Sequence, residues 1–95
     1  MLGRHAPEIV PYGPLSIMPT ASCLHYATQC FEGMKVYRGY DGKLRIFRPE
    51  LNCKRLVMSS TRVALPSFDP IELEKLLHAF LKIDGPRELF CSFIV

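Results

Sequence analysis

The sequence predicts a small α/β fold of the α+β type, in which an antiparallel β-hairpin packs with three helices. Three segments carry apolar residues at helical spacing, and this periodicity is typical of helices with one buried face. Two short runs of aromatic and branched residues lie between the first two of these segments. They flank an Asp-Gly pair, which is a strong hairpin signal.

The first helix is predicted over residues 22–32, where apolar residues recur at helical spacing. Ser22 is a candidate N-cap, because its hydroxyl can accept from backbone N–H groups at a helix start. Gly33 is expected to end this helix, since glycine has the backbone freedom for a change from helix to strand. Before this helix, the dense prolines of residues 1–20 favour extended chain joined by turns.

The hairpin is predicted to pair strands 34–38 and 43–47, joined by a turn over residues 39–42. In the second strand Leu44 and Ile46 share one face, as expected of a half-buried strand. Apolar and polar residues alternate less regularly in the first strand. At the other end of the chain, residues 87–95 are predicted to form a short strand or a frayed terminus.

The second helix is predicted to run from Pro49 to about Val63, because proline suits a first helical turn and Glu50 favours the positive end of the helix dipole. The helical repeat places the side chains of this segment in two stripes along its surface. The stripe expected in the core contains Cys53, Leu56, Val57, Ser60 and Ala64. The second, mixed stripe contains Leu51, Arg55, Met58 and Arg62, and so places two guanidinium groups two turns apart on a partly apolar face.

The third helix has the clearest start signal, because Asp69 can cap it and Pro70 fits its first position. Glu72 is expected to reach back to the cap N–H. One face is predicted to be buried, and it contains Leu73, Leu76, Leu77 and Phe80. Gly85, followed by a proline, is expected to be the C-cap.

The composition favours a single folded domain or part of one, since 48% of the 95 residues are hydrophobic. A chain this short buries a modest share of its surface, so we expect a partner domain or subunit to cover apolar surface. The net charge of +3 is scattered, which gives nucleic-acid binding little support. No apolar run reaches membrane-spanning length, and no membrane partner is predicted.

The four cysteines form no Cys-x-x-Cys pair and have no histidine at a zinc-ligand spacing, so no metal site is predicted. We expect free thiols packed as small apolar side chains in a reducing compartment. The cysteines are Cys23, Cys30, Cys53 and Cys91.

Few side chains are candidates for chemistry, and the residues alone show no complete catalytic set. Lys35 follows a turn glycine, but a lysine in an alternating strand is usually solvated rather than catalytic. Arg55 either extends its guanidinium to water or meets an anion where two surfaces join. Tyr26 and Phe31 are either core residues or aromatic walls of a pocket.

Several stretches in order resemble the N-terminal-domain signature of branched-chain amino acid aminotransferases, the fold-type IV enzymes that use pyridoxal 5'-phosphate. The first is Leu24-His25-Tyr26-Ala27-Thr28-Gln29-Cys30-Phe31-Glu32-Gly33-Met34-Lys35. The others lie at residues 44–49, 51–56 and 65–69. The resemblance covers residues 8–85 and is most similar to fungal members.

This resemblance implies roles for three residues. The arginine matching Arg55 contacts the cofactor phosphate, and the aromatic residues matching Tyr26 and Phe31 line the pocket for the aliphatic side chain of leucine, isoleucine or valine. The implied reaction moves an amino group from these amino acids to 2-oxoglutarate through pyridoxal phosphate held on a lysine. The implied assembly is a homodimer, located in mitochondria or the cytoplasm.

The resemblance also implies a truncated chain, in which residues 1–87 are part of the small N-terminal domain and residues 88–95 are a tail unlike the family. The family's catalytic lysine lies in a larger C-terminal domain, so we expect no catalytic residue here and no activity of this chain alone. The alternative is a non-catalytic interaction module that associates with full-length aminotransferase subunits, which co-purification with such a subunit would test.

Overall fold

The computed structural model describes residues 5–85 and the strand at residues 91–94. The chain is a small α+β structure, as predicted, with an antiparallel sheet and three helices. The elements are α1 (Ser22–Tyr26), β1 (Gly33–Arg38), β2 (Leu44–Ile46), α2 (Pro49–Arg62), α3 (Pro70–Asp84) and β3 (Cys91–Ile94).

The sheet has the strand order β2-β1-β3, and both pairings are antiparallel. The predicted hairpin is confirmed, with Val36 opposite Ile46. Its turn follows the expected chemistry, because Asp41 Oδ1 accepts from the Lys43 N–H at 3.0 Å and Gly42 has a φ of 79°. The strand option predicted for the end of the chain is confirmed at Cys91–Ile94, while residues 86–90 and 95 lie outside the described residues.

The first helix is shorter than predicted. It ends at Tyr26, and Ala27 has the left-handed conformation with a φ of 53°, so residues 28–32 are not helical and Gly33 does not end the helix. The prediction of Ser22 as N-cap is also wrong, because Ser22 lies inside the helix and the cap residue is Ala21. None of the five helical residues is buried, and a short helix without a packed face has little to prolong it.

The second helix confirms most of its predicted core stripe. Cys53, Leu56 and Ser60 are buried, and the Ser60 hydroxyl donates to the Leu56 carbonyl oxygen at 2.8 Å, which satisfies a buried polar group. Val57 is half-buried. The prediction fails at Ala64, which is exposed because the helix has ended at Arg62.

The hydrophobic core contains residues of the sheet and of the two long helices. Met34 from β1, Cys53 from α2 and Leu77 from α3 are buried together, with Ile46 and Leu73 packed against them. The predicted buried face of α3 is therefore confirmed only in part. Leu76 is 45% exposed and Phe80 is exposed as well, because α2 and the sheet cover only one side of the helix.

The C-cap prediction for Gly85 is confirmed, but its physical basis differs from the expected one. Gly85 has a φ of −59°, so the position does not need the left-handed freedom of glycine. A Cβ atom at this position would lie 2.5 Å from Leu44 Cδ1. Any other residue here would therefore need the Leu44 side chain to shift, because the end of α3 lies close to β2.

The N-cap of α3 is formed by Asp69, whose Oδ1 accepts from the Ile71 N–H at 2.9 Å. The expected reciprocal bond from Glu72 is absent among the described contacts. Its Oε1 instead accepts from Lys75 Nζ at 2.9 Å on the exposed surface of the helix. The helix start thus depends on one side-chain cap.

Replacing Asp69 with alanine is expected to lower the free energy of unfolding by about 1 kcal/mol, because it removes this hydrogen bond at the helix start. Urea denaturation of the two proteins measures the difference. The matched control is Asp69→Asn, whose side-chain oxygen still accepts. An alanine variant as stable as the asparagine variant would contradict the assigned cap.

Candidate functional site

A hydrogen-bonded cluster forms where the chain entering β1 meets α2, and it consists of Glu32, Asn52 and Arg55. Glu32 directly precedes β1 and is only 3% exposed. Asn52 and Arg55 are three residues apart on α2, so they project from the same face of that helix. We refer to these three side chains as the Glu32 cluster.

The carboxylate of Glu32 accepts hydrogen bonds from four N–H groups of three residues. Arg55 Nε donates to Oε2 at 2.6 Å and Arg55 Nη2 donates to Oε1, so the guanidinium contacts both oxygens. Asn52 Nδ2 and the Gly33 N–H donate to Oε1 at 3.0 and 3.1 Å. Paired hydrogen bonds between guanidinium and carboxylate are among the strongest in proteins, and here they compensate a buried charge.

This arrangement fixes the charge state of the cluster. The hydrogen bonds from Arg55 lower the pKa of Glu32 from its ordinary value of 4.5 to about 2, with Asn52 and the Gly33 N–H acting in the same direction against burial. The same bonds raise the pKa of Arg55. The site therefore holds a carboxylate anion and a guanidinium cation across the whole physiological pH range.

Arg55 is turned towards solvent on its other side, since its side chain is 65% exposed. It lines a shallow concavity of about 270 Å³. The other lining residues are Phe47, Arg48, Leu51 and Asn52. A guanidinium has five N–H donors, of which the described bonds to Glu32 use two. The other three have no partner among the described bonds, and Arg48 brings a second cation to the concavity, so the arrangement suits an anionic group such as a phosphate.

The two predicted aromatic site residues lie elsewhere on the surface. Tyr26, the last residue of α1, is 82% exposed, and Phe31 is 73% exposed. Neither ring lines the concavity beside Arg55. Phe31 is exposed while the next residue, Glu32, is buried. Their interpretation as core residues is excluded by this exposure.

Lys35 is exposed on β1, as expected of a solvated strand lysine. The histidines of the described chain also form no catalytic arrangement. His25 Nε2 lies 2.5 Å from the Pro19 carbonyl oxygen, and His78 Nε2 lies 3.6 Å from Glu74 Oε1. The described residues contain no His, Cys, Asp and Glu group arranged to hold a metal ion, and none of their helices is long and apolar enough to span a membrane.

Reasoning from the sequence missed Glu32 and Asn52 as members of the site. The mixed stripe of α2 left open whether Arg55 extends to water or meets an anion, and it named no partner. A signal was present, because Glu32 is the only carboxylate between Glu8 and Asp41 and lies next to a glycine at a strand start. Asn52 lies one turn before Arg55, where a shared partner is within reach.

Comparison with known proteins identifies homologues of this chain. It is 50% identical over 93 residues to the cytosolic branched-chain-amino-acid aminotransferase of Caenorhabditis elegans, a match that covers 95% of this chain. It is 55% identical over 75 residues, or 79% of its length, to a branched-chain-amino-acid aminotransferase of Monosiga brevicollis. A fungal relative, the mitochondrial enzyme of Schizosaccharomyces pombe, is 47% identical over 79 residues and 83% of this chain.

The chain spans about a fifth of the length of the curated relatives it matches, with 22%, 19% and 18% of these three proteins covered. No protein-family model matches the chain. The relatives include proteins named as cytosolic and as mitochondrial. The sequence similarity to branched-chain-amino-acid aminotransferases, including fungal ones, confirms the resemblance inferred from the motifs.

Proposed function

We propose that this chain is part of a branched-chain amino acid aminotransferase that uses pyridoxal 5'-phosphate, and that Arg55 binds the phosphate of this cofactor. The observation that carries the proposal is the guanidinium of Arg55, which Glu32 holds on one edge while the other edge is exposed. About half of the residues are identical to those of relatives named for this activity over most of the chain.

When bound, pyridoxal phosphate supplies an electron sink for the transfer of the amino group. In the proposed site Arg55 binds the phosphate through charge-assisted hydrogen bonds, and Glu32 keeps its guanidinium oriented. Neither residue moves a proton, since the carboxylate stays ionised and the guanidinium stays protonated at working pH. We assign catalytic proton transfer to a lysine in the remaining part of the enzyme.

Tyr26 and Phe31 are proposed as the walls that receive the aliphatic side chain of leucine, isoleucine or valine. Both rings are large apolar groups left open to solvent on the segment that leads into Glu32. Exposed apolar surface of this kind is typical of a binding surface that another part of the protein completes. We further propose that residues 1–87 belong to the small domain of a homodimeric fold-type IV enzyme, and that residues 88–95 are a distinct tail.

A chimera tests the proposal. Residues 5–85 of this chain replace the matched segment in the cytosolic C. elegans relative, and transamination of leucine with 2-oxoglutarate is measured. We expect the chimera to be active, and the purified chain alone, mixed with pyridoxal phosphate, to show neither transamination nor the absorbance of a lysine-bound cofactor. Activity of the chain alone through Lys35 would overturn the assignment of the lysine to another part of the enzyme.

The control within the chimera separates cofactor binding from folding. Arg55→Gln is expected to weaken pyridoxal phosphate binding at least tenfold, because it removes a charged donor to the phosphate. Arg62→Gln, on the same helix, is expected to leave it unchanged. A folded Arg55→Gln chimera that binds the cofactor as tightly as its parent would refute the role of Arg55.

A further inference from the structure

We infer that Glu32 is the positioning residue for anion binding at Arg55, and that its carboxylate sets which edge of the guanidinium meets the phosphate. This inference rests on the proposed function of Arg55 and assigns a role to a residue that the sequence motifs did not single out. It follows from the contacts of a buried carboxylate with the two elements that meet at the site.

Glu32 restricts Arg55 geometrically. The Nε–H and one Nη2–H of the guanidinium are both bonded to the carboxylate, and two contacts to a planar group fix its plane and its rotation. A free arginine side chain would lose rotamer entropy when it binds an anion. In this chain the ordering precedes ligand binding, so the guanidinium is already oriented while its Nη1 has no partner among the described bonds.

Glu32 is itself held rigidly, which a positioning role requires. Asn52 Nδ2 donates both to Glu32 Oε1 at 3.0 Å and to the Gly33 carbonyl oxygen at 3.1 Å, so it bridges α2 to the start of β1. The Gly33 N–H completes the set. Every oxygen of the buried carboxylate thus has a donor, and the site needs no rearrangement when an anion arrives.

Charge and orientation predict opposite effects of removing this carboxylate. A negative charge beside Arg55 repels a phosphate, so electrostatics alone predicts tighter phosphate binding when Glu32 is neutralised. A positioning role predicts weaker binding, because the guanidinium is released and must be ordered again at each binding event. The sign of the change therefore distinguishes the two roles.

The experiment uses the full 95-residue chain labelled at its arginine side chains, with inorganic phosphate as the probe. The Arg55 side-chain resonances are followed by NMR during the titration. We expect phosphate to shift them in the wild type, and Glu32→Gln to bind phosphate about tenfold more weakly. The matched control is Glu72→Gln, which removes one negative charge from α3 and is expected to leave the affinity unchanged.

The outcomes separate this inference from the proposed function. Unchanged or tighter phosphate binding by a folded Glu32→Gln variant overturns the positioning role and leaves Arg55 as the phosphate residue. No response of Arg55 in the wild type overturns the proposed function and this inference with it. If Glu32→Gln does not fold, as judged by the loss of its dispersed amide spectrum, the phosphate titration is repeated with Asn52→Ala. We expect this variant to bind phosphate about threefold more weakly. Unchanged binding by Asn52→Ala would overturn the inference.

Discussion

Replacing Arg55 with glutamine is expected to lower the free energy of unfolding at neutral pH by clearly more than Arg62→Gln does. Arg55 is the main cause of the low pKa of Glu32, which lies at about 2 instead of 4.5. Its hydrogen bonds, together with those of Asn52 and the Gly33 N–H, stabilise the ionised form of a carboxyl that is 3% exposed. The variant leaves a buried carboxylate without its cation, and urea denaturation at pH 7 measures the loss.

The pH dependence gives this prediction a second measurement. Because the pKa of Glu32 is lower in the folded chain than in the unfolded chain, its stabilisation is complete above about pH 4.5 and is lost as the pH falls towards 2. Wild-type stability should decline over that range, and the decline should be smaller in Arg55→Gln. Arg62→Gln serves as the control, and an Arg55→Gln variant with the full wild-type decline would contradict the assigned ion pair.

Truncating Leu77 to alanine is expected to cost about 3 kcal/mol of unfolding free energy. Leu77 is 8% exposed and lies in the core with Met34 and Cys53, where α3, β1 and α2 meet. Losing a buried leucine side chain removes its transfer free energy and leaves a cavity that the surroundings fill incompletely. A small chain has little stability in reserve, so a large share of the molecules is expected to unfold.

The neighbouring residue provides a control for the loss of a leucine from the same helix. Leu76→Ala makes the same chemical change at a site that is 45% exposed, and it is expected to cost less than about 1 kcal/mol. Denaturant unfolding of both variants under the same conditions gives the comparison. Equal losses for Leu76 and Leu77 would show that the two leucines are covered to the same extent in solution.

Local signals predicted most of the elements correctly. Asp41 and Gly42 define the hairpin turn, and Asp69 with Pro70 defines the start of α3, because these residues act through contacts within a few positions of themselves. The first helix was predicted too long for the same reason. Helical spacing continued to residue 32, but no residue of α1 is buried, and Cys30 and Glu32 contact α2 from a segment that is not helical. Such packing is not visible in local periodicity.

Of the three residues in the Glu32 cluster, only the exposed cation was predicted from the sequence. Arg55 was found from its position on a mixed helix face, whereas its partner Glu32 lies 23 residues earlier in the chain. Such a pairing depends on how the entry to β1 packs on α2, which the sequence pattern does not specify. The roles of Tyr26 and Phe31 came from the family resemblance, and their exposure leaves these roles as proposals.

The strand order has a consequence for self-association. β1 is the longest described strand, and it is hydrogen-bonded to a neighbour on both sides, so its backbone offers no template for an incoming chain. The exposed edge of β2 is three residues long and carries the charged Arg45 at its centre. Short, charged edges resist strand-by-strand aggregation. At the β2 edge, this disfavours pairing with a strand of a second copy.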